Sequence, residues 1–403
     1  MKAGMENSVV RSISAGLSQR GVRNHNERLI LSLLQRHGAM PGSDVSKLAG
    51  LSPPAVSAIL KRLENEGLLL RGDPMRGKVG KPSVPMRLAP GGVLSLGLKI
   101  GRRSADLLLM DFTGALRQQR VLRYDHPEPG AVFAFLEQGI AEIMASITPA
   151  EARRVCGLGV AAPFEMWNWG AHGADAIGPY ELWKDIDIRA RISAFSTLPV
   201  SLLNDATAAC QAEQVFGRGK EFRDYAYFFV GAFVGGGIVL NHSVFEGRQG
   251  NAGALGSLPT ISPLGESKRL IDMASIHLLE ARLAEVDIDP NVIWKSPQDW
   301  RGISRYVDPW LGQTAQELAK ASLSICSVID FEAILIDGAF PAEIRNELVE
   351  RVRRYIVTQD TRGLLPPQIE SGNIGGNARA IGAASAPIFS QFLLNTNAGL
   401  SVA

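Results

Sequence analysis

The 403-residue chain is 46% hydrophobic and 20% charged with a net charge of +2, a balance that suits a soluble globular protein of two or three domains. It holds no run of 18 or more uncharged apolar residues, its N-terminus lacks the apolar core of a secretory signal, and its three cysteines, Cys156, Cys210 and Cys326, are widely spread with no C-x-x-C pair. These features argue against a membrane-embedded protein and a disulfide framework, and point to a cytoplasmic chain with reduced thiols.

The charge is unevenly spread. Residues 1 to 90 carry 14 Lys+Arg against 6 Asp+Glu, and the remainder 28 against 34, so the basic end is the candidate for nucleic acid. "NERLILSLLQRHGAM" places Leu29, Ile30, Leu33 and Leu34 on one helical face, with His37-Gly38 as a stop signal. "SDVSKLAG" follows, with Ser43 as N-cap and Val45, Leu48 and Ala49 facing inward, and Gly50 can take the positive φ of a sharp turn. Ser52 then caps a second helix that opens on Pro53 and carries Val56, Ile59, Leu60 and Leu63 at i, i+3, i+4 and i+7.

This order predicts a helix-turn-helix whose second helix enters a major groove, with an αα-hairpin used only for packing as the alternative. "GLLLRGD" and "VPMRLA" read as strands flanking the basic loop "PMRGKVGKPS", a wing. Ser52, Pro53, Pro54, Ser57 and Ala58 lie nearest base edges in this reading, and Lys61, Arg62, Arg76, Lys78 and Lys81 are placed for phosphates of double-stranded DNA.

From Val93 the pattern becomes strand, Gly turn, strand, Gly turn, strand, and "YAYFFVGAFVGGGIVLNHSVFEG" repeats that layout. Helical stretches such as "GAVFAFLEQGIAEIMASI" and "NDATAACQAEQVFG" alternate with the strands, so the class is α/β, with two related lobes and a cleft between them.

The chain resembles the ROK family of repressors and sugar kinases. The resemblance rests on the helix-turn-helix and wing ahead of "MDFTG", "GLGVAAP", "LPVSLLNDATAACQAEQVFG", "VGAFVGGGIVLNHSVFEGRQGNAGALG", "ILIDGAF" and "NARAIGAASAPIF", in that order. It implies a winged helix-turn-helix over 20–90 and a two-lobed actin/hexokinase-like, ribonuclease H-like domain. The small lobe is expected over 91–200, completed by 377–395, and the large lobe over 201–376.

Departures from the family pattern bear on function. Family kinases hold ATP phosphates on an Asp-x-Gly-Gly-Thr turn, and here that turn is Lys99-Ile100-Gly101-Arg102-Arg103. In the second turn Ala232-Phe233 replaces Thr-Gly. No catalytic residue and no cofactor is therefore assigned. The family's zinc ligands are a His and three cysteines, against Ser257 and "SPLGESKRL" here, so no metal is assigned either.

Asn204-Asp205 matches the family's sugar-binding Asn-Asp pair. The Glu and His of the following motif are Ala254 and Ser257, a later Glu falls near Ile271 or Asp272, and Tyr180 stands for a sugar-contacting Asn. Tyr180, Asn204, Asp205, Asn251 and Ser257 are thus the expected ligand residues, although Asp205 would serve equally as an N-cap of the helix that follows it. Trp167, Trp169, Tyr180 and Trp183 crowd one irregular stretch, where they either stack on a sugar or are buried, and His172 lies among them.

The combined reading is a DNA-binding transcriptional regulator, a repressor of carbohydrate-related genes that responds to a sugar-like effector between its lobes. A homodimer or homotetramer suits palindromic operators. The alternatives are a sugar kinase with an appended DNA module and a regulator controlled by a protein partner.

Overall fold

The structure is a computed structural model that describes residues 19–74, 84–167, 178–262, 264–295 and 298–394; Arg76, Lys78 and Lys81 of the wing loop, and Trp169 and His172, lie outside the described residues. The head comprises α1 (Gln19–His37), β1 (Met40–Pro41), α2 (Gly42–Ala49), α3 (Pro53–Asn65), β2 (Leu69–Arg71) and β3 (Pro85–Leu88), with the strands in the antiparallel order β1-β3-β2. As its periodicity predicts, α3 buries Val56, Ile59, Leu60 and Leu63. Gly50 ends α2 at φ +65°, its N–H donating to the Ser46 carbonyl.

Three local expectations are corrected. Ser43 is the second residue of α2 rather than its cap, because Pro41, extended at φ −62° and ψ 148°, ends β1 and lets the helix start at Gly42. Leu48 is 53% exposed; the inward position goes to Ser46, whose hydroxyl donates to the Leu51 carbonyl at 2.6 Å. In α1 the fully buried residues are Ile30, Leu31 and Leu34, and Leu29 and Leu33 are half-buried on a flank turned to a second neighbour.

That neighbour is the rest of the chain. The first lobe contains β4 (Leu94–Ile100), β5 (Ser104–Asp111), β6 (Leu116–Arg123), α4 (Pro129–Ser146), α5 (Pro149–Ala152), β7 (Val155–Ala162), α6 (Gly178–Glu181), α7 (Ile188–Ser193) and β8 (Val200–Asn204). Its sheet has the order β6-β5-β4-β7-β8. The second lobe contains α8 (Asp205–Phe216), β9 (Tyr225–Val230), β10 (Val234–Leu240), β11 (Ser243–Val244), β12 (Pro259–Ile261), β13 (Ser267–Arg269), α9 (His277–Ala284), α10 (Ser304–Cys326), β14 (Ala333–Gly338), α11 (Ala342–Val357) and β15 (Gln368–Ser371).

Its order is β11-β10-β9-β14-β15, and in both sheets three antiparallel strands are followed by two parallel ones. The repeat read from the Gly turns is thus a repeat of topology. The first sheet runs to Asn204, a little beyond the boundary expected at 200.

Two helices join the lobes. α12 (Ala378–Phe392) returns to lie on β4 and β7 and crosses α8 at van der Waals distance. A Cβ on Gly159 would stand 1.7 Å from the Ala383 carbonyl oxygen, and one on Gly382 would stand 1.7 Å from that of Ala208, so only glycine permits these approaches.

The head is not strung on a linker. One buried cluster runs from Val56 and Leu60 of α3 through Leu34 and Leu88 to Met110 of β5 and Ala384 and Ile388 of α12. Phe112 meets Phe392 edge-on at 5.7 Å. Among the described residues no helix is long and apolar enough to cross a membrane.

Candidate functional site

On the head, α3 turns Ser52, Pro53, Pro54, Ser57, Ala58 and Lys61 outward, all exposed. Ser52 is the N-cap in backbone geometry, yet its hydroxyl makes no capping hydrogen bond. Arg62 behaves differently from the reading that placed it on phosphate: its guanidinium is drawn to Glu27 of α1 and lies 3.9 Å from Glu66, and its side chain is only 26% exposed. Glu64 grips Arg71 of β2 with two bonds of 2.6 and 2.8 Å, fixing the wing's first strand to α3 and holding the Glu64 carboxyl below its ordinary range. Lys61 keeps its place on the open face.

A concavity of about 190 Å³ lies between the lobes. Asn204, Asp205, Asn251 and Ser257 all line it, with Arg102, Phe164, Phe229, Phe233 and Arg379. Four of the five expected ligand residues therefore meet. Tyr180 does not join them: it is 2% exposed within the first lobe's core, together with Met166 and Trp183. Burial also explains Trp183, whose indole donates to the Pro127 carbonyl at 2.6 Å and packs on Phe133.

At the β8–α8 junction the cap is Asn204, whose side-chain oxygen accepts from the backbone N–H of Ala206 at 2.9 Å and of Thr207 at 3.3 Å. Asp205 is thereby released from capping and forms an ion pair of 3.2 Å with Arg379 at the start of α12. The Arg379 guanidinium also lies over the Phe229 ring, 5.0 Å from its centroid.

The first turn has closed on itself and on the opposite lobe. Lys99 is buried, its Nζ 2.6 Å from Asp106 and 2.8 Å from Ser104, and burial, with Arg379 nearby, pushes its pKa down to about 8. Arg102 and Arg103 reach across to Glu280 of α9 at 3.3 and 3.2 Å, and the Trp294 indole donates to the same carboxylate at 2.7 Å. Arg102 also stacks over Phe233 of the second turn, and Phe233 packs on His277.

Where the family's zinc loop would lie, Thr260 donates to Glu317 at 2.5 Å and Arg269 pairs with Asp272 at 3.1 Å. Among the described residues no three His, Cys, Asp or Glu side chains are placed to hold a metal ion.

Sequence reading missed Arg379, Glu280 and Glu27. Arg379 meets Asp205, and Glu280 meets Arg102 and Arg103, through tertiary contacts spanning well over a hundred residues, and Glu27 looks like any solvated acid on α1.

A small winged head fused through its core to a two-lobed, duplicated α/β domain defines a class: a helix-turn-helix joined to an actin/hexokinase-like body. Residues 95–268 match the ROK family and residues 23–69 the winged helix-turn-helix DNA-binding family. The chain carries a ROK family domain behind a winged helix-turn-helix.

It is similar to the xylose repressor of Bacillus subtilis (strain 168), 23% identical over 59% of this chain and 61% of that one. It is also similar to the DNA-binding transcriptional dual regulator NagC of Escherichia coli (strain K12), 22% identical over 65% of this chain and 64% of that one. The matched stretches span about three fifths of these curated relatives' length.

In fold it is similar to a ROK family transcriptional regulator, a homolog of the E. coli MLC protein, with 19% identity, a TM-score of 0.63 and coverage of 92% of this chain and 97% of that one. A ROK family glucokinase from Streptomyces griseus, in complex with glucose and AMPPNP, aligns with 17% identity and a TM-score of 0.55, covering 72% of this chain and 98% of the enzyme.

Proposed function

We propose that the protein is a cytoplasmic transcriptional repressor of carbohydrate-related genes that binds operator DNA through α3 and the wing and responds to a sugar-like effector in the interlobe cleft. Ser52, Pro53, Pro54, Ser57 and Ala58 would face base edges. Lys61, with Arg76, Lys78 and Lys81 of the wing, would face phosphates, and Asn204, Asp205, Asn251 and Ser257 the effector. Similarity to proteins named as xylose repressor and as NagC supports this reading.

The observation that carries it is the continuity between cleft and head. α8 and α12 both start at the cleft, where Asp205 and Arg379 pair, and both end on α1. Gln35 of α1 donates to the Val215 carbonyl near the end of α8, and Arg28 donates to the Phe389, Ser390 and Leu393 carbonyls at the end of α12, where unpaired helix carbonyls favour a cation. An effector that draws the lobes together would alter the setting of these two helices, and through α1 that of α3. It can change DNA affinity only through its differential affinity for the two settings. A homodimer or homotetramer would place two α3 helices on a palindrome.

Phosphoryl transfer is the competing function, since fold neighbours include kinases. It is disfavoured by the two turns. Phosphate loops need open backbone N–H groups and a metal, whereas here Lys99 is folded onto Asp106 and the arginines clasp Glu280. The test is selection of bound duplexes from a random DNA library by the full chain, alongside an assay for sugar-dependent ADP release. Enrichment of one palindromic motif without ADP release is expected; ADP release well above an Asp205→Asn control, with no motif, would overturn the reading.

A further inference from the structure

We propose that the effector of the interlobe cleft is an anionic carbohydrate, a monosaccharide carrying a carboxylate or phosphate, held by Arg379, with Arg102 also lining the cleft. The proposal rests on the reading of this cleft as the effector site and specifies what that site accepts.

Among the described residues, the charged groups that line the cleft are Arg379, Asp205 and Arg102, the last also paired with Glu280. The Asp205 carboxylate is held by Arg379. A neutral sugar binds through hydroxyls and favours carboxylate acceptors; this cleft offers one, already engaged by a cation.

The Arg379 side chain is 14% exposed, one nitrogen serves Asp205, and its buried Nε has no hydrogen-bond partner among the described residues. A guanidinium has five N–H donors in a planar fork that matches carboxylate and phosphate oxygens, so a half-satisfied one in a desolvated cleft lacks what an anion supplies. An anionic ligand can take over the fork while Asp205 turns to the ligand's hydroxyls, so neither charge is stranded. A neutral ligand that pulled Asp205 away would leave Arg379 buried without a counter-charge, which is strongly unfavourable.

The first turn of α8, at Asn204, Asp205 and Ala206, opens onto the same space. Asn251 and Ser257 remain for hydroxyls and Phe229 and Phe233 for the apolar face of a ring. The cleft volume, about 190 Å³, is that of a small-molecule site.

The test is titration calorimetry of the full-length protein with D-glucuronate and D-gluconate as carboxylate probes, D-glucose 6-phosphate as the phosphate probe, and D-glucose and D-xylose as neutral ones. At least one anionic probe is expected to bind ten-fold or more tightly than its neutral counterpart, and to lose ten-fold or more in Arg379→Gln. Which anionic probe binds identifies the group. Arg102→Gln provides a second variant, and unfolding curves establish that each is folded. Neutral sugars binding as tightly as the anionic ones, or binding undiminished in both variants, would overturn the anionic assignment and leave the sugar-sensing reading standing. Binding of no probe at millimolar concentration would overturn both.

Discussion

Arg28, in the first helix of the head, donates to the carbonyl of Ser390 at 2.6 Å, across 362 residues of sequence. It also serves the Phe389 and Leu393 carbonyls, so a side chain of the DNA-binding head completes the C-terminal turn of a helix that begins in the cleft. Arg28→Ala is therefore expected to leave α3 folded and DNA binding largely intact while abolishing any effect of a cleft ligand on it. Hydrogen exchange checks the mechanism: protection should fall in α1 and the last turn of α12 with α3 unaffected.

Lys61 and Arg62 are neighbours on α3 with different destinations. Lys61→Ala should weaken DNA binding and reduce the salt slope of log K by about 1, with no change in melting temperature. Arg62→Ala should instead destabilise the head by about 0.5–1 kcal/mol, because it removes the half-buried pair with Glu27. Anisotropy titrations at several salt concentrations, set beside melting curves, separate the two.

The crossing of α8 and α12 predicts an intolerance. Gly382→Ala places a methyl 1.7 Å from the Ala208 carbonyl oxygen, which neither helix can accommodate without shifting, so it should cost at least about 1–3 kcal/mol. Gly376→Ala, where nothing lies within 4 Å, is the control and should be near neutral. Urea midpoints of the two variants measure the difference.

Lys99 gives a pH signature. Burial, then Arg379, lowers its folded-state pKa from 10.5 to about 8, so between those values the unfolded chain binds the proton that the folded chain has released. Stability from this group therefore rises with pH across that window, and its penalty is fully present below about pH 8. Stability of the unmodified protein relative to Lys99→Gln should increase between pH 7.5 and 10, by on the order of 1–3 kcal/mol. Denaturation curves at half-unit steps would reveal it, and a pH-independent difference would place Lys99 in a more solvated setting.

Local patterns were legible in the sequence because they are set by neighbours in the chain. The stripe Val56, Ile59, Leu60 and Leu63 fixes α3, Gly50 fixes the turn, and the two Gly-hairpin runs announce the duplicated lobes. The cleft was legible in part, since Asn204, Asp205, Asn251 and Ser257 line one concavity. What escaped was decided by distant contacts. Tyr180 was expected at the ligand and is buried in the first lobe's core. Arg379 gains its meaning from Asp205, 174 residues away, and Arg62 from a carboxylate on another helix. Ser43 lost its cap role because Pro41 ended the strand one residue before the helix, a boundary that composition does not mark.

The Asp205–Arg379 end of α8 and α12 is expected to control the head through α1. The most direct test is DNA affinity of the full chain for its selected duplex, measured by anisotropy with and without the cleft ligand, in the unmodified protein and in Asp205→Ala. The ligand is expected to change affinity at least five-fold in the unmodified protein, and Asp205→Ala to bind the duplex within about two-fold of normal but no longer to respond, a coupling of about 1 kcal/mol or more lost at one carboxylate. An Asp205→Ala protein that responds to the ligand as the unmodified protein does would contradict it.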